Sequence, residues 1–257
     1  MATSARGSLA RGLLFQTGMM LSILVWGVVS LLLSWPLPYR RRYWLISRWC
    51  PFMWWWLERV GGVGFRVEGL EHIPETPAVV LSKHQSTWET VNLVRWFHPQ
   101  TWVLKRELMW LPIFGWALAL LEPIAIDRAA GRDAMRQVVE QGRARLRAGR
   151  WVVVFPEGTR IPAGRRGRYR LGGAVLACEA GVPVVPVAHN AGEHWPRRGL
   201  RLRPGTVNVR IGQPIPTAGR DAMDVLTEAQ HWIEQQMPEL SRFGYSGELV
   251  DRHRAAG

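Results

Sequence analysis

From Leu13 to Tyr39 no side chain carries a charge, and this run constrains the fold more than any other feature of the chain. A bilayer core is crossed by about 20 apolar residues of helix. The apolar region of a cleaved secretory signal is usually about 7–15 residues. Here the run is longer, and Trp35, Pro36 and the block Arg40, Arg41, Arg42 follow it where a small-residue cleavage site would stand. We therefore expect an uncleaved membrane anchor. Arg6 and Arg11 precede it, and Arg40 to Arg42 with Arg48 follow it. If the segment spans, that bias puts its C-terminal side in the cytoplasm, at a bacterial inner membrane. Pro36, Pro38 and Pro51 offer a second solution, two helices bent into a hairpin within one leaflet; the sequence leaves both open.

The charge balance names the kind of partner. With 33 Lys and Arg against 20 Asp and Glu, the formal net charge is +13. Anionic lipid, phosphorylated substrates and nucleic acid all suit such a chain. Several of the 15 Trp residues cluster between Tyr43 and Val60. Indoles interleaved with arginines suit a lipid headgroup layer better than a duplex, so membrane lipid is the expected partner and nucleic acid is not. Cys50 and Cys178 are too few and too far apart for a zinc site or a disulfide framework. No metal is expected.

Beyond about residue 65 the pattern changes to short apolar runs alternating with helical periodicity, which is the mark of an α/β domain. Residues 77–83, 123–127, 151–156, 182–190 and 206–212 read as strands, and 135–146, 172–181 and 224–237 as helices. Gly149 and Gly181 stand where helices would stop. The expected architecture is a mostly parallel mixed sheet flanked by helices (65–257), preceded by a membrane-anchoring, interfacial helical segment (1–64). His84, the Glu157 to Arg160 turn, and His189 with Asn190 each follow an apolar strand. Ligands of open α/β sheets bind beyond the carboxyl ends of strands, so one composite site is expected there.

His84 and Glu89 are five residues apart, which on one helix would leave them roughly 140° apart around the axis. They must straddle a helix start. Ser86 to Glu89 spells the S-x-x-E capping box, with Ser86 as N-cap and Glu89 reaching back over the loop that carries His84. Two roles remain open for Glu89: a cap for the Ser86 amide, or an acid partner for the imidazole. The turn Phe155 to Arg160 adds backbone amides, a Thr hydroxyl and a guanidinium, groups that suit a phosphate. Lys105 and Arg128, each at or near the end of an apolar run, supply further positive charge.

Four segments, His84 to Glu89, Ile124 to Arg128, Phe155 to Arg160 and Val182 to Ala188, resemble in order and approximate spacing the four motifs of the glycerolipid acyltransferase family. The resemblance covers roughly Pro77 to Ile215. It departs at one position, where the family's first motif usually ends in Asp and this chain has Glu89. The resemblance implies that His84 is a general base for a glycerol hydroxyl, with Glu89 orienting the ring. It further implies that Arg128, Glu157, Gly158, Thr159 and Arg160 form the substrate-binding site, with Lys105 added and Glu157 holding the turn. The implied reaction moves an acyl chain from acyl-CoA or acyl carrier protein to the sn-2 hydroxyl of lysophosphatidic acid, giving phosphatidic acid for phospholipid synthesis. No cofactor is implied. Amides at the start of the helix after His84 are candidates for the oxyanion. Cys178 reads as core, and His189 and His194 lack identifiable partners. Rival readings are an acyltransferase for another lysolipid, such as a lyso-ornithine lipid, and a noncatalytic basic membrane-binding module. An interfacial hydrolase would normally need a nucleophile, and no G-x-S-x-G occurs.

Overall fold

The computed structural model describes residues 7–127, 130–197 and 200–250. The uncharged run forms helix α1 (Leu9–Ser34), begun by Ser8, whose hydroxyl accepts from the Arg11 amide at 3.3 Å. A turn through Trp35 to Pro38 leads to α2 (Tyr39–Ser47) and α3 (Trp49–Trp56), so the proline-rich turn bends the chain into packed helices. Along α1 the buried positions are Gly12, Phe15, Met19, Gly27, Ser30 and Ser34, one stripe at helical spacing. Leu14, Leu21, Val25, Leu32 and Leu33, on the rest of the surface, are more than half exposed.

That stripe touches protein near both ends. A Cβ at Gly12 would sit 1.4 Å from the Leu200 carbonyl oxygen, and one at Gly27 would sit 2.5 Å from Ile113 Cγ2. Only glycine permits so close an approach of the α1 backbone. Part of the tryptophan cluster works inward as well: the indoles of Trp49, Trp54 and Trp56 donate to Ser22 Oγ, the Val91 carbonyl and the Phe15 carbonyl at 3.0, 3.2 and 3.1 Å. Trp35, Trp44 and Trp55 remain exposed.

The α/β region contains β1 (Val63–Glu68), β2 (Val79–Ser82), α4 (Trp88–Asn92), β3 (Gln100–Lys105), α5 (Phe114–Ala119), β4 (Ile124–Ile126), α6 (Arg132–Arg147) and β5 (Trp151–Val154). Next come β6 (Arg165–Arg166), α7 (Gly172–Ala180), β7 (Val184–His189), α8 (Ala191–His194), β8 (Gly205–Ile211), α9 (Ala222–Leu240) and β9 (Glu248–Leu249). Seven strands form one sheet in the order β1-β8-β7-β2-β5-β3-β4. All its pairings are parallel except β7 with β8. β6 and β9 pair separately. This is the mostly parallel mixed sheet flanked by helices that the alternation of runs predicts.

Strands β2, β5 and β7 are buried throughout, as central parallel strands covered on both faces must be. Alternate residues serve two cores. Val80 and Val153 pack with Trp88, Phe97, Met53 and Phe15, whereas Val79, Leu81, Val152 and Val154 pack with Val138, Leu176, Ile233 and Met237. Residues of α1 to α3 thus share a core with the sheet, and β1 begins at Val63, two residues before the expected boundary. Two strands of the seven-stranded sheet are not announced by apolar runs, and neither are the short β6 and β9. β1 lies at the sheet edge with polar positions, and β3 opens on Gln100 and Thr101, both polar and both buried.

Candidate active site

Residues 83–89 leave the end of β2 and carry the centre of the site. Glu89 Oε1 accepts from the Ser86 amide at 2.8 Å, the back-reaching half of the predicted capping box, but the other half shifts: α4 starts one residue later, with Thr87 at the N-cap, and Ser86 Oγ accepts from the Trp88 amide at 3.0 Å. The same Oε1 accepts from the Gln85 amide at 2.9 Å and lies 2.8 Å from His84 Nδ1. The two roles left open for Glu89 are therefore filled at once, by one oxygen with three donors.

Glu89 is completely buried. Burial alone would raise its pKa, but His189, the hydrogen bond and charge of His84 and the Ser86 amide outweigh it and hold the carboxyl below the usual range. Against an ionised Glu89, Nδ1 of His84 carries the ring proton and Nε2 is left as the basic nitrogen. The ring is also stacked on Phe155, with centroids 4.1 Å apart and planes 13° off parallel.

Glu157 holds the histidine's backbone. Its Oε2 accepts from the His84 amide at 2.9 Å, and its Oε1 takes Lys83 Nζ at 2.9 Å and the Gly167 amide at 3.1 Å. Its carboxylate is buried and holds the turn against the histidine, and it is not among the residues that line the cavity described below. Behind it, Lys83 Nζ also reaches Glu234 of α9 at 2.8 Å. The Tyr169 hydroxyl donates to Glu234 at 3.0 Å, and the Tyr245 hydroxyl also donates to it.

Lys83 and His189 are supporting residues that motif reasoning missed. For Lys83 a signal existed: strand alternation puts it on the face of Val79 and Leu81, toward α9. His189 Nε2 lies 2.8 Å from the Lys83 carbonyl oxygen and 3.9 Å from Glu89 Oε2, the second distance too long for a hydrogen bond. Its complete burial pushes the imidazole below the ordinary histidine range. His194 binds the Arg203 carbonyl at 3.0 Å.

His84, Lys105, Gly158, Thr159 and Arg160 line one cavity of about 400 Å³. Arg160 is held by Thr87, its guanidinium donating to Oγ1 at 2.9 Å. Arg197, which no motif flagged, lines the same cavity and donates to the Arg160 carbonyl at 2.9 Å. Arg128 lies outside the described residues. The remaining wall is apolar and includes Ile23 and Trp26 of α1, Leu104, Leu108, and Phe114 and Leu118 of α5. Hence α1 forms part of the site itself. Cys50 also lines the cavity, but burial, opposed by Arg95, pushes its thiol up to about 12, so it is no nucleophile at neutral pH. The amides of Gln85 and Ser86 are taken by Glu89, and that of Trp88 by Ser86, so these are not oxyanion donors as expected.

A buried acid orienting a histidine, set between cationic groups and an apolar wall, is an arrangement for acyl or phosphoryl-ester chemistry on an amphiphile. Residues 64–190 match the family model described as Acyltransferase. The chain belongs to the acyltransferase family. Its relatives include the 1-acyl-sn-glycerol-3-phosphate acyltransferase of Pseudomonas aeruginosa, 47% identical over 235 residues that cover 90% of this chain and 91% of the relative. The human 1-acyl-sn-glycerol-3-phosphate acyltransferase alpha is 33% identical over 192 residues, 72% of this chain and 68% of its own. The fold is that of the crystal structure of the 1-acyl-sn-glycerophosphate (LPA) acyltransferase PlsC from Thermotoga maritima, with a TM-score of 0.75, 24% identity, and coverage of 90% of this chain and 95% of that one.

Proposed function

We propose that the protein transfers an acyl chain from a thioester donor, acyl-CoA or acyl carrier protein, to the sn-2 hydroxyl of lysophosphatidic acid, forming phosphatidic acid. The observation that carries this reading is the His84 and Glu89 pair, 2.8 Å apart, with His84 on a cavity lined by cationic and mostly apolar side chains. Lys105, Arg160 and Arg197, with the Thr159 hydroxyl, bind the acceptor's phosphate, and Gly158, its amide donating to the Phe155 carbonyl at 2.9 Å, shapes the turn that presents them; Arg128 joins them through the family resemblance. The apolar wall takes hydrocarbon.

His84 Nε2 accepts the hydroxyl proton as the oxygen attacks the thioester carbonyl, and Glu89 stabilises the imidazolium. Collapse of the tetrahedral intermediate breaks the C–S bond, and the imidazolium returns its proton to the leaving thiolate. The oxyanion is met by a donor lining the cavity. No acyl-enzyme forms. Neither a metal nor a resident cofactor enters the chemistry, because a thiol leaves readily once two reactants are aligned.

The chain before β1 acts as the membrane-anchoring, interfacial segment, and the acyltransferase domain begins with β1 at Val63, two residues ahead of the expected boundary. We place α1 flat within one leaflet. A helix that packs on protein near both Gly12 and Gly27 stays beside the domain along its length, and its remaining surface is apolar. Thioester donors are intracellular, so the domain faces the cytoplasm. Purified protein in micelles is tested with lysophosphatidic acid and each donor, beside His84→Ala. Phosphatidic acid from the wild type alone supports the reading, while equal product from both proteins, or none from either when folded, overturns it.

A further inference from the structure

The loop after the FPEGTR turn carries Arg165, Arg166, Arg168 and Arg170 within six residues. Arg165 is ion-paired with Glu248. Arg166 and Arg168 are exposed, and among the described residues their guanidinium groups have no ion pair or hydrogen bond. Like charges so close repel one another. The loop is nevertheless tied down. The Arg170 amide donates to the Pro156 carbonyl at 2.9 Å, the Val250 amide to the Arg166 carbonyl at 2.9 Å, and the Ser246 amide to the Gly164 carbonyl at 2.9 Å. Gly167, between the two free arginines, donates its amide to Glu157, and Glu157 accepts from the amide of His84 through its other oxygen. One carboxylate thus separates the base from the backbone that presents both cations.

We propose that Arg166 and Arg168 dock the phosphate at the far end of the acyl donor's pantetheine arm; this rests on the acyl-transfer reading above. Both donors, the coenzyme and the carrier protein, carry the acyl group on such an arm, and each arm ends in a phosphate. The acyl chain and the acceptor occupy a cavity whose wall is built from α1 and α5, so the water-soluble end of the donor lies outside it. Neither arginine lines that cavity. Two exposed guanidinium groups on a backbone fixed from both sides offer charge-assisted donors to phosphate oxygens, and phosphate binding relieves their repulsion.

The test is calorimetric titration of the full chain in neutral micelles with coenzyme A, using pantetheine as the phosphate-free control. Arg166→Ala/Arg168→Ala is expected to weaken coenzyme A binding about tenfold or more at low salt and to remove most of its salt dependence, with the melting temperature unchanged. In turnover, the KM for acyl-CoA and for acyl carrier protein rises about tenfold while that for lysophosphatidic acid stays within about twofold. A shift with acyl-CoA alone overturns the shared-arm assignment in favour of the nucleotide phosphates. Unchanged coenzyme A affinity overturns the docking site, as does an effect confined to partition into anionic vesicles. Arginine-dependent coenzyme A binding without product would refute the acyl-transfer reading and keep the docking site; product formation with donor KM indifferent to both arginines does the reverse.

Discussion

Oε1 of Glu89 lies 2.8 Å from Nδ1 of His84 and is at the same time the acceptor that closes the loop between them, through the Ser86 and Gln85 amides at 2.8 and 2.9 Å. Loop geometry and ring orientation therefore depend on one atom. Replacing Glu89 with Gln keeps the shape but removes the charge that favours the imidazolium. We expect a fall in kcat of about 10²–10⁴ with the acceptor KM within about twofold. Glu89→Asp keeps the charge and shortens the reach, so it should lose less than Gln. Steady-state kinetics decides, and the reverse order would mean that capping, not charge, is the acid's main contribution.

The buried titratable groups behind the loop make stability fall with acid in two stages. Burial pushes His189 and His194 below the ordinary 6.5, so beneath that pH the unfolded chain binds more protons and stability declines as pH drops. Glu89 lies below the ordinary 4.5, so its contribution is present above that value and is lost as pH falls through its lower folded pKa. Urea midpoints measured from pH 7 down to about pH 2 should show both stages, and His189→Gln should flatten the upper one. A midpoint independent of pH over that range would contradict the assignment.

Lys83 joins two carboxylates, Glu157 at 2.9 Å and Glu234 at 2.8 Å, with its own side chain fully buried. Lys83→Met leaves both acids without their cation and should destabilise the protein by about 3–5 kcal/mol. Adding Glu234→Gln removes one of the stranded charges, so the double variant should be more stable than the sum of the single effects. Chemical denaturation of the four proteins closes the cycle; simple additivity would show that Lys83 and Glu234 do not act as one network.

A flat α1 keeps both of its ends and the domain on one side of the membrane. In a Cys178→Ala background, Ala10→Cys and Met223→Cys should label from the same face of sealed vesicles with an impermeant maleimide. A spanning α1 would put them on opposite faces. Changing Leu21, Val25 and Leu32 together to Ser should lower vesicle partition at least about tenfold without unfolding the protein, since all three are more than half exposed.

Much of the site was legible because its key contacts are local. His84 and Glu89 are brought together at a helix start whose geometry is set within six residues, Glu89 reaching back to the Ser86 amide, and Thr159 and Arg160 stand on a turn that a preceding apolar strand announces. Glu157 was recognisable as a turn residue, but not as the group that holds the His84 amide. The Lys83 to Glu234 contact bridges 151 positions and Arg210 to Glu68 bridges 142, and no local pattern pairs them. Arg197 enters the cavity from a segment with no recognised motif.

By itself the sequence determined the α/β class, an apolar helix long enough for a bilayer, and the order of the strand-end motifs. These follow from side-chain periodicity and hydropathy, which act over a few residues. Tertiary structure alone decided that α1 rests against Leu200 and Ile113 and walls the cavity, that Glu157 faces inward, and that β6 and β9 tie the arginine loop near His84. Those outcomes depend on which surfaces meet when distant segments pack, and a stripe of small residues or a charged side chain carries no local mark of the partner it will find.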